Sequence, residues 1–184
     1  MAKPEYTIDW TTRYTATWAE WLKDWAGKPN LKALEVGCHE GRSSRWFCEH
    51  VLTGANCRLD CVDSWSVKKY AGAEDRFDRN TTGLPIRKIK EPSQTALPRL
   101  ILDGNRYVFV YVDGSHIAEH CLFDLIVAWQ MVCRTGVLIA DDYGLTSRTL
   151  RYPPKLAIDG LLACLNESRA GHIIRGNQVA VWKS

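Results

Sequence analysis

The sequence predicts a three-layer α/β sandwich of about seven strands, mostly parallel and closed by an antiparallel hairpin at the C-terminus. Three observations carry this. The stretch Leu31–Ser44, LKALEVGCHEGRSS, reads as a short apolar strand that runs into a glycine turn and opens a helix, the ligand-binding corner of a doubly wound sheet. Apolar runs of strand length then alternate with helical patterns, as parallel strands joined by crossover helices require. Tyr107–Val112, YVFVYV, is apolar throughout, as expected of a strand buried on both faces.

Taken in order, residues 1–30 form an N-terminal helical segment, with Trp18, Trp21 and Trp25 at helical spacing and Gly27 as the stop. That helix packs its Trp face on the sheet or on a second copy of the chain, or it covers a ligand pocket as a lid; packing is the simpler reading. Lys32–Val36 is the first strand, and Gly37 and Gly41 allow a sharp turn with room for a ligand. Arg42–Thr53 follows as the first crossover helix, and Cys57–Val62 as the second strand, which delivers Asp63 at its carboxyl end. Ser66–Leu84 mixes Lys68, Lys69, Arg76 and Arg79 with Glu74, Asp75 and Asp78, the pattern of a solvated helix with loops. Ile86–Ile89 is a short third strand after Pro85, and Ser93–Gln94 open a helix with Ser93 suited to the N-cap. YVFVYV ends in Asp113-Gly114-Ser115-His116, and a helix follows with Cys121, Leu125 and Trp129 on its apolar face. Gly136–Ala140 is the fifth strand and ends in Asp141-Asp142-Tyr143; Pro153–Pro154 precede a helix through Leu165. His172–Arg175 and Gln178–Trp182 close as a hairpin around Gly176–Asn177. No repeat or linker interrupts the pattern, so residues 1–184 read as a single domain.

Composition excludes several classes. A chain of 184 residues, 46% hydrophobic and 24% charged, is that of a soluble globular domain with a sizeable core. A net charge of +3 gives no reason to expect a nucleic-acid partner. The seven cysteines lack CxxC or Cys/His zinc spacing and sit mostly in apolar patterns, where Cys acts as a small hydrophobe. The N-terminal MAKPEYTIDW has no apolar signal core and no run reaches membrane-spanning length, so the expectation is a reduced, cytoplasmic protein without a membrane partner.

The glycine turn discriminates further. A dinucleotide site of the GxGxxG kind needs a glycine where His39 stands. The spacing from Glu35 through Gly37 to Gly41 instead resembles E-x-G-x-x-x-G, the first motif of the class I S-adenosylmethionine-dependent methyltransferases. It is most similar to the branch, including catechol O-methyltransferase, that lacks the middle glycine and carries a serine two places after the last, here Ser43. The resemblance implies a Rossmann-like sandwich with S-adenosyl-L-methionine as cofactor, bound along Glu35, Gly37, His39, Gly41 and Ser43. Asp63 lies close to the offset of roughly 20 residues at which an acid meets ribose hydroxyls in such folds, and a carboxylate can accept from both. Trp65 either lies against an adenine ring or packs at the strand end. The resemblance also implies that Ser93 and Gln94 touch the adenine and that Asp113 borders the cofactor.

Glu35, Asp63, Asp113, Asp141 and Asp142 all fall near the carboxyl ends of strands, where open α/β sheets bind ligands. Neighbouring carboxylates repel unless a cation or proton intervenes. In the metal-dependent O-methyltransferases an Asp after the fourth strand and an Asp-Asn or Asp-Asp pair after the fifth hold a divalent cation. The resemblance gives that role to Asp113, Asp141 and Asp142, hard oxygen ligands suited to Mg²⁺ or Ca²⁺. DGSH, a helix and GVLIADDYG are similar to the bacterial branch that includes macrolide-sugar O-methyltransferases, which implies His116 as general base beside Asp113. A cation and a helix N-terminus next to it both disfavour imidazolium, so a neutral imidazole is expected. Otherwise His116 is an exposed first-turn residue. The implied reaction is metal-assisted O-methylation of a small hydroxylated molecule. Asp142 departs from the Asn of the catechol enzyme, and that enzyme's substrate-binding residues have no counterpart here. A nucleic-acid amino-methyltransferase would carry [DN]-P-P-[YFW] where DGSH stands. A non-catalytic or non-methylating S-adenosylmethionine-binding protein remains the open alternative.

Overall fold

The computed structural model describes residues 3–145, 151–165 and 170–184. After a 3-10 turn at Thr12–Tyr14 the elements are α1 (Thr15–Trp21), β1 (Lys32–Val36), α2 (Arg42–His50), β2 (Arg58–Asp63), α3 (Ala73–Thr81), β3 (Ile86–Lys90), α4 (Ser93–Leu102), β4 (Tyr107–Val112), α5 (Ala118–Met131), β5 (Val132–Ala140), α6 (Pro154–Cys164), β6 (Ala170–Arg175) and β7 (Gln178–Lys183). The seven strands form one sheet in the order β3-β2-β1-β4-β5-β7-β6. Pairing is parallel from β3 to β5 and antiparallel from β5 through β7 to β6. This is the Rossmann-like sandwich with a terminal hairpin that the sequence predicts. None of the described helices is long and apolar enough to cross a membrane.

The period of two along each strand divides the core into two layers. Leu34, Val36, Val110, Val112 and Leu138 face α4, α5 and α6, where Leu97, Leu125 and Ile158 are fully buried. Ala33, Leu59, Cys61, Phe109, Tyr111 and Val137 face the opposite layer, which holds Trp18 of α1, Phe47 of α2 and Phe77 of α3. Successive crossovers therefore leave β1 and β4 toward opposite faces, and a crevice opens at their carboxyl ends. Gly37 lies in that crevice at φ +86, where an added Cβ would lie 2.0 Å from the Asp113 carbonyl oxygen. The turn after β1 thus touches the end of β4, and only glycine permits the contact.

Two boundaries differ from expectation by four residues, and others by fewer. The helix of the Trp segment ends at Trp21 and does not run through Trp25. Trp25 and Ala26 both donate to the Leu22 carbonyl, and Gly27 donates to Val51 at the end of α2, so the chain turns back there. The Trp face packs inward: Trp18 is fully buried, 4.8 Å from Phe47 and 5.2 Å from Tyr111 between ring centroids. β5 starts at Val132, four residues before Gly136, because α5 passes directly into it. All seven cysteines are unpaired, and five of them are buried.

Candidate active site

A cavity of about 650 Å³ opens at the carboxyl ends of the central strands, within the size range of small-molecule sites. Gly37, His39, Ser43, Asp63, Trp65, Ser93, Gln94, Asp113, His116, Asp141 and Asp142 line it. Glu35 and Gly41 do not reach its wall, which differs from the expected cofactor contact. Gly41 takes φ +78 at the start of α2, where an added Cβ would meet Thr81 and Phe77. Glu35 is fully buried, and the Ser43 and Ser44 hydroxyls donate to its two oxygens. The motif's acid therefore builds the turn from beneath.

Burial pushes the Glu35 carboxyl up to about 7, against the two serine hydrogen bonds, which lower it. Between its ordinary value and that one, the folded chain keeps a proton that the unfolded chain has released. Its contribution to stability is thus complete at acid pH and is lost as pH rises through about 7, at about 1.4 kcal/mol per pH unit of displacement. Asp124, whose carboxyl burial lifts to about 6, acts in the same direction. Glu35→Gln should remove the Glu35 contribution, so melting curves from pH 5 to 7.5 should fall less in the variant than in the wild type. Parallel curves would place the pH dependence elsewhere.

On the cofactor side, Asp63 is held by backbone donors. Its Oδ2 accepts from the Cys38 and His39 N–H groups at 2.9 and 3.0 Å, and its Oδ1 accepts from the Trp65 N–H at 2.8 Å. Of the roughly four acceptor sites of a carboxylate, the one left free is on Oδ1, open to a hydroxyl donor. His39, where most relatives of the motif would have glycine, takes the left-handed conformation at φ 46. Its ring stands edge-on to Tyr70 at 4.8 Å and lies 5.3 Å from Trp10, and burial lowers its pKa. Trp65 donates from Nε1 to the His39 carbonyl at 2.8 Å, packs on Phe77 at 4.9 Å and has the Lys88 ammonium 4.8 Å from its ring centre. The indole is a clamped plate at the strand end.

At the other end the side chains of Asp113, His116 and Asp142 converge, with one ligand atom from each lying within 4.8 Å of the others. His116 Nε2 is 2.8 Å from Asp142 Oδ2. Asp113 is half-buried in the wall of the cavity. That burial, then the charges of Asp141 and Asp142, hold its carboxyl well above the usual range. The hydrogen bond that His116 donates to Asp142 raises the His116 pKa, opposite in direction to the neutral base expected from sequence. The reason is direct contact with a carboxylate, which favours imidazolium. Asp141 turns inward: it accepts from the Tyr111 hydroxyl, from Gln178 Nε2 at 2.8 Å and from the Asp142 N–H at 2.7 Å. Of the three acids expected, Asp113 and Asp142 converge here with the histidine, while Asp141 lines the cavity with both oxygens engaged.

A strap formed by the first residues was not anticipated. Tyr6, Ile8, Trp10, Thr11, Arg13 and Tyr14 line the cavity, so the cover precedes the Trp helix. Glu5 and Asn80 exchange two hydrogen bonds, Thr7 donates twice to Glu40, and Asp9 pairs with Arg42 at 2.9 Å. Tyr6, Ile8 and Trp10 recur at every second position, the signal that could have revealed an extended segment with one face inward.

A family model described as a methyltransferase domain matches residues 34–143, more than half of the chain and all of the crevice from β1 to the Asp141-Asp142 pair. The chain belongs to this methyltransferase family. None of the curated proteins matches it in sequence. Among solved structures, this methyltransferase is similar to a provisionally named rRNA methylase from Clostridium thermocellum, with a TM-score of 0.69 at 15% identity over 92% of this chain and 96% of that one. It is similar to the MycE methyltransferase of the mycinamycin biosynthetic pathway, in complex with Mg and SAH, with a TM-score of 0.69 at 16% identity. That match covers 96% of this chain but only 51% of MycE. An O-methyltransferase from Bacillus cereus in complex with SAH matches with a TM-score of 0.69 at 16% identity, over 97% of this chain and 84% of that one. At such identities the likeness shows the fold. Together with the family match, it bears out the resemblance read from the glycine turn.

Proposed function

We propose that this methyltransferase uses S-adenosylmethionine to methylate a hydroxyl oxygen of a small molecule, assisted by a divalent cation. The observation that carries the reading is the convergence of Asp113, Asp142 and His116 in the same cavity as the Asp63 cradle. The residues present fit both groups. Asp63 offers an oriented acceptor on Oδ1 to a ribose hydroxyl, and Ser93 and Gln94 line the wall where the adenine would lie. The two carboxylates are the hard donors Mg²⁺ or Ca²⁺ prefers; burial first and then repulsion from Asp141 and Asp142 lift Asp113, and a cation relieves the repulsion.

The cofactor supplies an electrophilic methyl group as a sulfonium, and the cation lowers the pKa of a hydroxyl held beside it. The chain's own residues do the rest. Asp113 and Asp142 would hold the acceptor end of the cavity, and His116 Nδ1, the ring nitrogen that Asp142 leaves free, would take the proton of the acceptor hydroxyl. Asp142, 2.8 Å from Nε2, accepts its N–H, orients the ring and would stabilise the imidazolium that results. The strap excludes water, and positioning supplies much of the acceleration. MycE and the Bacillus cereus enzyme, each solved with SAH, and MycE with Mg, support the reading.

Calorimetry with S-adenosylhomocysteine tests the cofactor. The wild type should bind it, and Asp63→Ala should weaken binding at least about 5-fold, for one ribose hydrogen bond at roughly 1 kcal/mol. Binding of NAD with none of S-adenosylhomocysteine would overturn the reading.

A further inference from the structure

Trp18, Gln178, Asp141 and Tyr111 form one buried hydrogen-bonded chain. Gln178, the first residue of β7, is fully buried and uses both ends of its amide. Its Oε1 accepts from Trp18 Nε1 at 2.8 Å, and its Nε2 donates to Asp141 Oδ2 at 2.8 Å. An indole N–H can only donate, so the amide oxygen must face Trp18 and the NH₂ must face Asp141. The Tyr111 hydroxyl donates to the same Asp141 oxygen and lies 3.1 Å from Asp113 Oδ2. The other Asp141 oxygen accepts the Asp142 N–H at 2.7 Å. Asp142 sits there at φ 65, a conformation that non-glycine residues rarely hold without support. In that conformation its carboxylate meets His116.

The two adjacent acids therefore do different work. Asp141 braces the turn and Asp142 faces the cavity. We propose that Gln178, with Tyr111, is the positioning residue of this mouth: by fixing Asp141 it fixes the direction of Asp142, and with Asp113 the geometry of the cation site. The inference rests on the cation reading above and adds a residue outside the segment that the family model matches. Hydrogen bonds behind ligating carboxylates commonly govern metal affinity, and losing one typically costs about 10- to 100-fold. Trp18 anchors the amide from α1, so the N-terminal segment and the acidic mouth share one frame.

The test uses Mn²⁺ as probe, titrated into the purified chain and counted by the EPR signal of the free ion, with S-adenosylhomocysteine calorimetry alongside. Gln178→Met keeps the bulk and removes both hydrogen bonds; Tyr111→Phe removes only the hydroxyl. Mn²⁺ affinity should fall about 10- to 100-fold in each, while S-adenosylhomocysteine affinity, set by the Asp63 side, should stay unchanged. A merely structural role would lower the melting temperature without separating the two affinities. If Gln178→Met fails to fold, Tyr111→Phe decides. Wild-type Mn²⁺ affinity in the folded variants overturns the positioning role and leaves the cation site standing. A wild type that binds S-adenosylhomocysteine but no Mn²⁺ overturns the cation reading and this inference together.

Discussion

Asp113→Asn should abolish cation binding and lower methyl transfer by about 10²- to 10³-fold, the usual cost of removing one preorganised electrostatic group, while making the metal-free protein more stable. The two effects have one cause. Burial and the charges of Asp141 and Asp142 hold the Asp113 carboxyl well above its ordinary range, so an ionised group there is destabilising until something positive joins it. Its stability contribution falls as pH rises through that raised value, and the neutral amide lacks this dependence. Gly37 and the end of β4 keep their contact, because it runs through the Asp113 backbone and not its side chain. Thermal melting with and without Mg²⁺ reads both consequences: Mg²⁺ should raise the melting temperature of the wild type and leave the variant unmoved. In turnover, chelator should reduce the wild type to the level of the variant. Wild-type activity that persists in chelator would end the cation hypothesis.

His116→Ala should lower kcat by about 10²- to 10⁴-fold, the range for losing a general base, with cofactor affinity unchanged. The ring is half-exposed at the mouth, its Nε2 directed at Asp142, and no hydrogen bond ties it to the turn after β1 that would hold the cofactor. Its removal therefore takes away proton acceptance without disturbing Asp63 or the glycine turn. Single-turnover rates and S-adenosylhomocysteine affinity measured on the same variant distinguish the outcomes. Full kcat with weakened cofactor binding would make His116 a cofactor contact. Loss of both with a lower melting temperature would make it a structural residue of the β4–α5 turn.

The sheet and its ligand-binding edge were legible because strands buried on both faces are apolar throughout and end abruptly in polar residues, as YVFVYV-Asp113 does. What sequence spacing left open was the direction of individual side chains. Glu35 shares parity with Ala33, which lies under α2, so alternation along β1 already turned it away from the crevice. Asp141 and Asp142 both line the cavity, but only Asp142 brings a ligand atom beside Asp113 and His116. Asp141 is engaged by Gln178 and Tyr111, residues 37 and 30 positions away in the chain. His116 was found by its place three residues after Asp113, but its charge state depends on Asp142, a partner supplied by another strand. The strap was hidden because its ties to Glu40, Asn80 and Arg42 are long-range and leave only a weak alternation behind.

The bond between Trp18 and Gln178 joins residues 160 positions apart, and β7 enters the sheet between β5 and β6 and not at its edge. Loop closure over such a separation is entropically costly and is repaid only when the closing strand is in place. The nascent chain thus carries both aspartates long before it can orient them. The acidic pair acquires its bracing from Gln178 only once β7 has been synthesised and inserted between β5 and β6.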